Sequence, residues 1–92
     1  MLSHTTNNQP GDAEALALAA LAATLTDERR ARRFLDLTGL DADGLRARAG
    51  ERGLLAAVLT FLEAHEPDLV DVAQAIGSKP EILIAARSEL ER

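Results

Sequence analysis

Between Ala13 and Leu25 the chain runs AEALALAALAATL, in which Glu14 is the one residue that is not alanine, leucine or threonine. Alanine and leucine form helices readily and strands poorly, so this run is expected to be helical. Its uncharged portion, Ala15 to Thr26, falls short of the roughly 20 residues that span a bilayer. Wound at 3.6 residues per turn, Leu18, Leu21 and Leu25 form one stripe, while Leu16, Ala20 and Ala23 lie on the opposite side. A helix apolar all round needs cover on most of its circumference. It is expected to be the central element of a helical fold, or in part the contact with a second copy of the chain.

The remainder is punctuated at helical intervals. Asp12 is a suitable N-cap for the first helix, and Thr26 is expected to cap a second that stops at Gly39. Asp41 then opens a short third helix, about 42–49, closed by Gly50. A fourth, about 52–65, is expected to bury Leu54, Leu55, Val58, Phe61 and Leu62. Pro67, at the first helical position after Glu66, is expected to start a fifth that ends at Gly77. Ser78 and Glu81 have the S-x-x-E spacing of a capping box and are expected to start the sixth. Ninety-two residues and short connections point to one domain. The expected architecture is all-α, a compact bundle of five or six short helices over residues 12–92, preceded by a disordered polar tail over 1–11.

Gly39 and Gly77 are 38 residues apart, and at that offset Leu16 matches Leu54, Ala19 Ala57, Leu21 Leu59 and Leu45 Leu83. This is compatible with two copies of a three-helix unit, 13–50 and 51–88. It is equally compatible with the chance self-similarity of an alanine- and leucine-rich helical chain.

Most reactive chemistries find no support. With no cysteine, disulfides and thiolate metal sites are excluded. The histidines are His4, in the tail, and His65, expected to face the C-terminal dipole of the fourth helix rather than a metal. The Asp41-Ala-Asp43-Gly44 stretch lacks the oxygen, glycine and glutamate that a calcium loop needs further on. Ser3, Ser78 and Ser88 have neither a partner base nor elbow glycines, and no glycine-rich phosphate loop is present. The reading is therefore of a non-enzymatic protein without metal or cofactor. Residues 1–11 lack the basic and apolar segments of a secretory signal, which favours a cytoplasmic home away from the membrane.

Two features invite a binding role. Arg29, Arg30, Arg32 and Arg33 lie opposite Ala31, Phe34 and Leu35 on a helical wheel and are expected to form one solvated face. Asp36 is within i+3 or i+4 pairing distance of Arg33 and Arg32. That face is either an ordinary wet surface or an anchor for phosphate or an acidic partner. The second feature is residues 69–90, where Ala73, Gly77 and Leu83 have the spacing of a helix-turn-helix. Its groove-facing set would be Lys79, Pro80, Glu81, Ile84, Ala85 and Ser88, which offers one cation and one phosphate-repelling carboxylate. A net charge of -5 also speaks against nucleic acid. Ile82, Leu83, Ala86 and Leu90 are expected to share the buried side, leaving Ile84 opposite. With Ala85 and Val70, Ile84 forms a candidate patch for a protein partner.

The stretches ALALAALAATL, RRFLDLTGLDADGLRARAG and LLAAVLTFLEAHEPDLVDVAQAIG together resemble the small alphaproteobacterial family catalogued as domain of unknown function 3572, over about residues 13–88. The likeness is strongest at Phe34–Leu40 and Leu54–Leu62. It implies a bacterial, cytoplasmic, helical protein and transfers no functional residue. The leading expectation is a small helical interaction or adaptor protein with an unidentified protein partner, a second copy of itself being one candidate. The alternative is a DNA-associated regulator using residues 69–90, with the arginines of the second helix on phosphate.

Overall fold

A computed structural model describes residues 12–92. The expected tail, with Ser3 and His4, lies outside them. Six helices follow one another: α1 (Asp12–Leu25), α2 (Glu28–Thr38), α3 (Ala42–Arg48), α4 (Arg52–Glu63), α5 (Glu66–Ala75) and α6 (Pro80–Leu90). The fold is an all-α bundle. Its most deeply buried element is α4, which sinks Leu54, Leu55, Ala56, Val58, Leu59, Phe61 and Leu62 into the core. Helices α1 and α6 pack on α4 and on each other, with α5 against α4 and α2 against α1.

Local chemistry sets the helix ends. Gly39 (φ 73°) and Gly77 (φ 70°) are the two left-handed glycines among the described residues. The Gly39 amide donates to the Leu35 carbonyl (2.8 Å), a single left-handed closure of α2. At the end of α5 the Ser78 amide reaches Ala73 (2.8 Å) and the Gly77 amide reaches Gln74 (3.2 Å), the paired bonds of a Schellman stop. Asp41 Oδ1 accepts from the Gly44 amide at 2.7 Å and caps α3 as expected.

Two expected caps and the end of α4 are corrected. Asp27, not Thr26, caps α2: its Oδ1 accepts from the Arg30 amide at 2.9 Å. The Thr26 hydroxyl is used up on the Ala23 carbonyl (2.7 Å), closing α1 instead. The Ser78–Glu81 box does not form, because Pro80 occupies the first helical position and makes Lys79 the N-cap, which has no side-chain acceptor. His65 stands between helices as the N-cap of α5, its carbonyl accepting from the Asp68 and Leu69 amides. It is therefore not the C-terminal residue of α4, which ends at Glu63.

The first helix buries a different stripe from the one its leucines suggest. Ala13, Ala17, Ala20, Leu21 and Thr24 face the core, whereas Leu18 and Leu25 are 48% and 37% exposed. Two neighbours, α4 and α6, press on α1, and small side chains allow them to approach closely. Thr24 is fully buried, and its hydroxyl is satisfied by donating to the Ala20 carbonyl at 2.7 Å, whereas Glu14 Oε1 at the end of the seam is buried without a hydrogen-bond partner. Arg52 fastens the end of this seam: Nη1 donates to Glu14 Oε2 (2.7 Å) and Nη2 to the Glu89 and Leu90 carbonyls (3.0 and 3.4 Å). A cation at the C-terminal carbonyls of α6 is also favoured by that helix's dipole.

Candidate docking site

The four arginines of α2 do not form one face. Phe34 is the buried anchor of this otherwise polar helix and meets Phe61 of α4 edge-on, with ring centroids 5.2 Å apart. That docking turns Arg30 and Arg33 toward α5. Arg30 Nε donates to Asp68 Oδ1 at 3.1 Å, Arg30 Nη2 to Asp71 Oδ2 at 3.4 Å, and Arg33 to Asp68 Oδ2. The Arg33 guanidinium also lies over the Phe61 ring, 5.3 Å from its centroid, in cation–π geometry. Asp68 is buried (7% exposed), so this carboxylate with its two arginines clamps α2 to α5.

Arg29 and Arg32 remain outward and make no ion pair among the described residues. The expected pairing of Asp36 with Arg32 or Arg33 is not made, since Asp68 takes Arg33. Glu28, Arg29, Arg32, Arg33 and Asp36 outline an open basin of about 690 Å³. All five belong to α2, so the basin has no second wall and is a shelf between long side chains of one helix. The Asp27 carboxyl at its start is held below the usual carboxylate range, chiefly by accepting the Arg30 amide and then by the charges of Arg30 and Arg29.

A second concavity is built differently. Leu18, Leu21, Ala22 and Leu25 of α1, Leu35 of α2, and Ala42, Leu45, Arg46 and Ala49 on and just beyond α3 enclose about 420 Å³. Eight of these nine residues are apolar, and the walls come from three helices. The groove exists because α3, only seven residues long, sits on the bundle through Leu45 as its one buried side chain. At the 38-residue offset the α4–α6 contact is tight, and its lip carries the Arg87–Glu63 ion pair where the first half has Ala49 and Leu25. Arg46 is the groove's one charged residue, and its head pairs with the exposed Asp43 at 3.0 Å.

Ile84 and Val70 are each 39% exposed, Ala85 is exposed, and Ile82 is more exposed still at 49%. Ile82 thus leaves the buried side expected for it, because Leu83, Ala86 and Leu90 alone meet the core and the two isoleucines flank that stripe. Arg87 is committed to Glu63 and Glu91, which hold its guanidinium more firmly protonated than usual, Glu63 contributing most through its hydrogen bond. The cations that a phosphate-binding reading needs are therefore partly spent: Arg30, Arg33 and Arg87 bind carboxylates of the chain itself.

Among the described residues no three His, Asp or Glu side chains come together as a metal would require. No described helix is long and apolar enough to cross a membrane. Periodicity did not disclose the groove, since it arises from helix spacing; the leucines of α1 in excess of one buried stripe were its sequence signal. No curated protein and no solved structure matches the chain. Residues 10–92 match the family described as Protein of unknown function (DUF3572), and the chain belongs to that family.

Proposed function

We propose that the protein is a non-enzymatic helical interaction module that docks a partner protein in the groove between α1, α2 and α3. One observation carries this reading: a three-walled concavity with eight apolar residues of nine, containing Leu18 and Leu25 at 48% and 37% exposure. Large apolar side chains held at the surface around a cleft are costly in water and mark contact sites when they are contiguous. The reading includes the bacterial, cytoplasmic setting, of alphaproteobacterial type, with which a cysteine-free chain is compatible. The Ile84, Ala85 and Val70 patch, exposed on α5 and α6, is the competing surface.

The test is quantitative affinity capture from the native host with three baits: wild type, Leu18→Glu and Ile84→Glu. Leu18 is half-exposed, so its replacement spares the core, and circular dichroism checks the fold. The expected result is a protein retained by wild type and Ile84→Glu but lost with Leu18→Glu. Loss with Ile84→Glu alone moves the site to α6. Capture of nucleic acid by wild type, abolished by Arg29→Glu with Arg32→Glu, replaces this reading with the DNA-associated one.

A further inference from the structure

We propose that the occupant of the groove is an amphipathic helix of another protein, with an apolar stripe flanked by Asp and Glu. The inference rests on the docking reading above and adds the chemistry of the partner. Its basis is an unequal distribution of charge. Residues 27–49, which supply α2 and α3, hold six arginines and five carboxylates, a net charge of +1. The rest of the chain holds four cations and ten carboxylates, a net -6, which together give the -5 of the whole. Two of the five carboxylates of that segment, Asp27 and Asp41, are engaged as helix caps.

Of the six cations not tied across elements, Arg29, Arg32, Arg46 and Arg48 lie in residues 27–49, and Lys79 and Arg92 lie outside them. Arg30, Arg33, Arg52 and Arg87 are tied across elements. Arg29 and Arg32 have no ion pair among the described residues, and Arg46 and Arg48 have only exposed pairs three residues away. Such pairs exchange readily for a better-placed carboxylate. Arg32 is three residues before Leu35, so it flanks the groove on the α2 side, while Arg46 lines it on the α3 side. An approaching helix therefore meets an apolar floor with Arg46 on one side and, beyond Leu35 on the other, Arg32 set between Glu28 and Asp36. A basic helix would gain nothing at those arginines, and acidic flanks would be steered away from the strongly acidic remainder of the molecule.

Length agrees with this occupant. Leu18 to Leu25 is seven residues of helix, about 10 Å. That span matches a stripe at i, i+3 or i+4, and i+7.

The experiment is a phage-displayed library of helix-biased peptides, about 14 residues or four turns long, selected on the full chain. Enriched peptides are synthesised with Glu flanks and, on the same apolar stripe, with Lys flanks. The expected result is enrichment of acid-flanked sequences, with the Lys versions binding about five- to tenfold more weakly. Arg32→Glu with Arg46→Glu is expected to invert that preference, and Leu18→Glu or Ala22→Glu to abolish binding of both. Enrichment of neutral or basic flanks, or binding indifferent to the charge reversal, overturns the acidic occupant while leaving the groove as the site if Leu18→Glu still abolishes binding. Binding untouched by Leu18→Glu and Ala22→Glu overturns the groove itself. Failure to enrich any peptide overturns the helical occupant. Sedimentation supplies one more outcome: a dimer that Leu18→Glu dissolves makes the occupant a second copy, which also overturns the proposal.

Discussion

The carboxylate clamp between α2 and α5 is the sharpest place to perturb this fold. Asp68 has a side chain 10% exposed and accepts from Arg30, itself 12% exposed, and from Arg33, 48% exposed. Removing one partner of a buried pair typically costs about 3–5 kcal/mol, because the other charge stays desolvated and unpaired. Here the Arg33 share is screened by water and deserves a discount, and Arg30 retains Asp71 at 3.4 Å as a weaker, exposed substitute. Asp68→Ala is therefore expected to lose about 2–3 kcal/mol. At roughly 4–8 °C per kcal/mol for a domain of this size, its midpoint falls by about 8–24 °C. Thermal and urea unfolding measure both quantities. A cycle with Arg30→Met separates the pair from the packing. Arg30→Met with Asp68→Ala is expected to recover at least about 1 kcal/mol of the summed single losses, since no buried charge is left stranded. A loss below about 0.5 kcal/mol for Asp68→Ala, with additive singles, would refute the clamp as a stabilising element.

Three further outcomes follow from the same geometry. Gly39→Ala meets no atom within 4 Å, so its cost is the left-handed backbone alone, about 1–2 kcal/mol; Gly53→Ala, in the equally open first turn of α4, is expected to stabilise by about 0.5 kcal/mol. Chemical denaturation should show these opposite signs, and a shared sign refutes the assignment. Thr24→Val removes a buried hydroxyl whose acceptor, the Ala20 carbonyl, belongs to the helix ladder; unfolding free energy is expected to stay within about 1 kcal/mol of wild type, and a larger loss means the hydroxyl holds more than its own turn. Asp27 has a depressed folded pKa, so its contribution is full above the unfolded value and lost as pH falls through the folded one. Asp27→Asn keeps the capping oxygen, and the stability gap to wild type should close as pH drops below about 4; a gap unchanged down to pH 2 contradicts the charge argument.

The helices were legible because their ends are written locally. Gly39, Gly77, Pro67 and Pro80 each forbid or impose one backbone geometry, and all six elements follow from them and the apolar runs between. The errors arose where two neighbouring residues could serve one role. Thr26 and Asp27 both carry capping oxygens, and the Ala23 carbonyl decides between them by taking both the amide and the hydroxyl of the threonine. At Ser78 the box pattern was present but one place out of register, because proline has its own required position. In α1 every side is apolar, so no periodicity could say which stripe the neighbours would cover. The clamp was invisible for another reason: Arg30 and Asp68 are 38 residues apart, and nothing local marks that partnership. The groove is legible only in part, since surplus leucine announces exposed apolar surface without saying where the walls stand.

The short third helix has a consequence for time as well as shape. Seven residues cannot sustain a helix unaided, and α3 is fastened by the single buried side chain of Leu45 and by half-buried Leu40 and Ala49. Its amides will exchange with solvent through local opening long before those of α4, which report global unfolding. The α3 wall of the groove is thus expected to open more readily than the α1 wall, which packs on α4 and α6. Whatever binds there must hold α3 in place, and slowed amide exchange confined to Ala42–Arg48 becomes the earliest signature of occupancy.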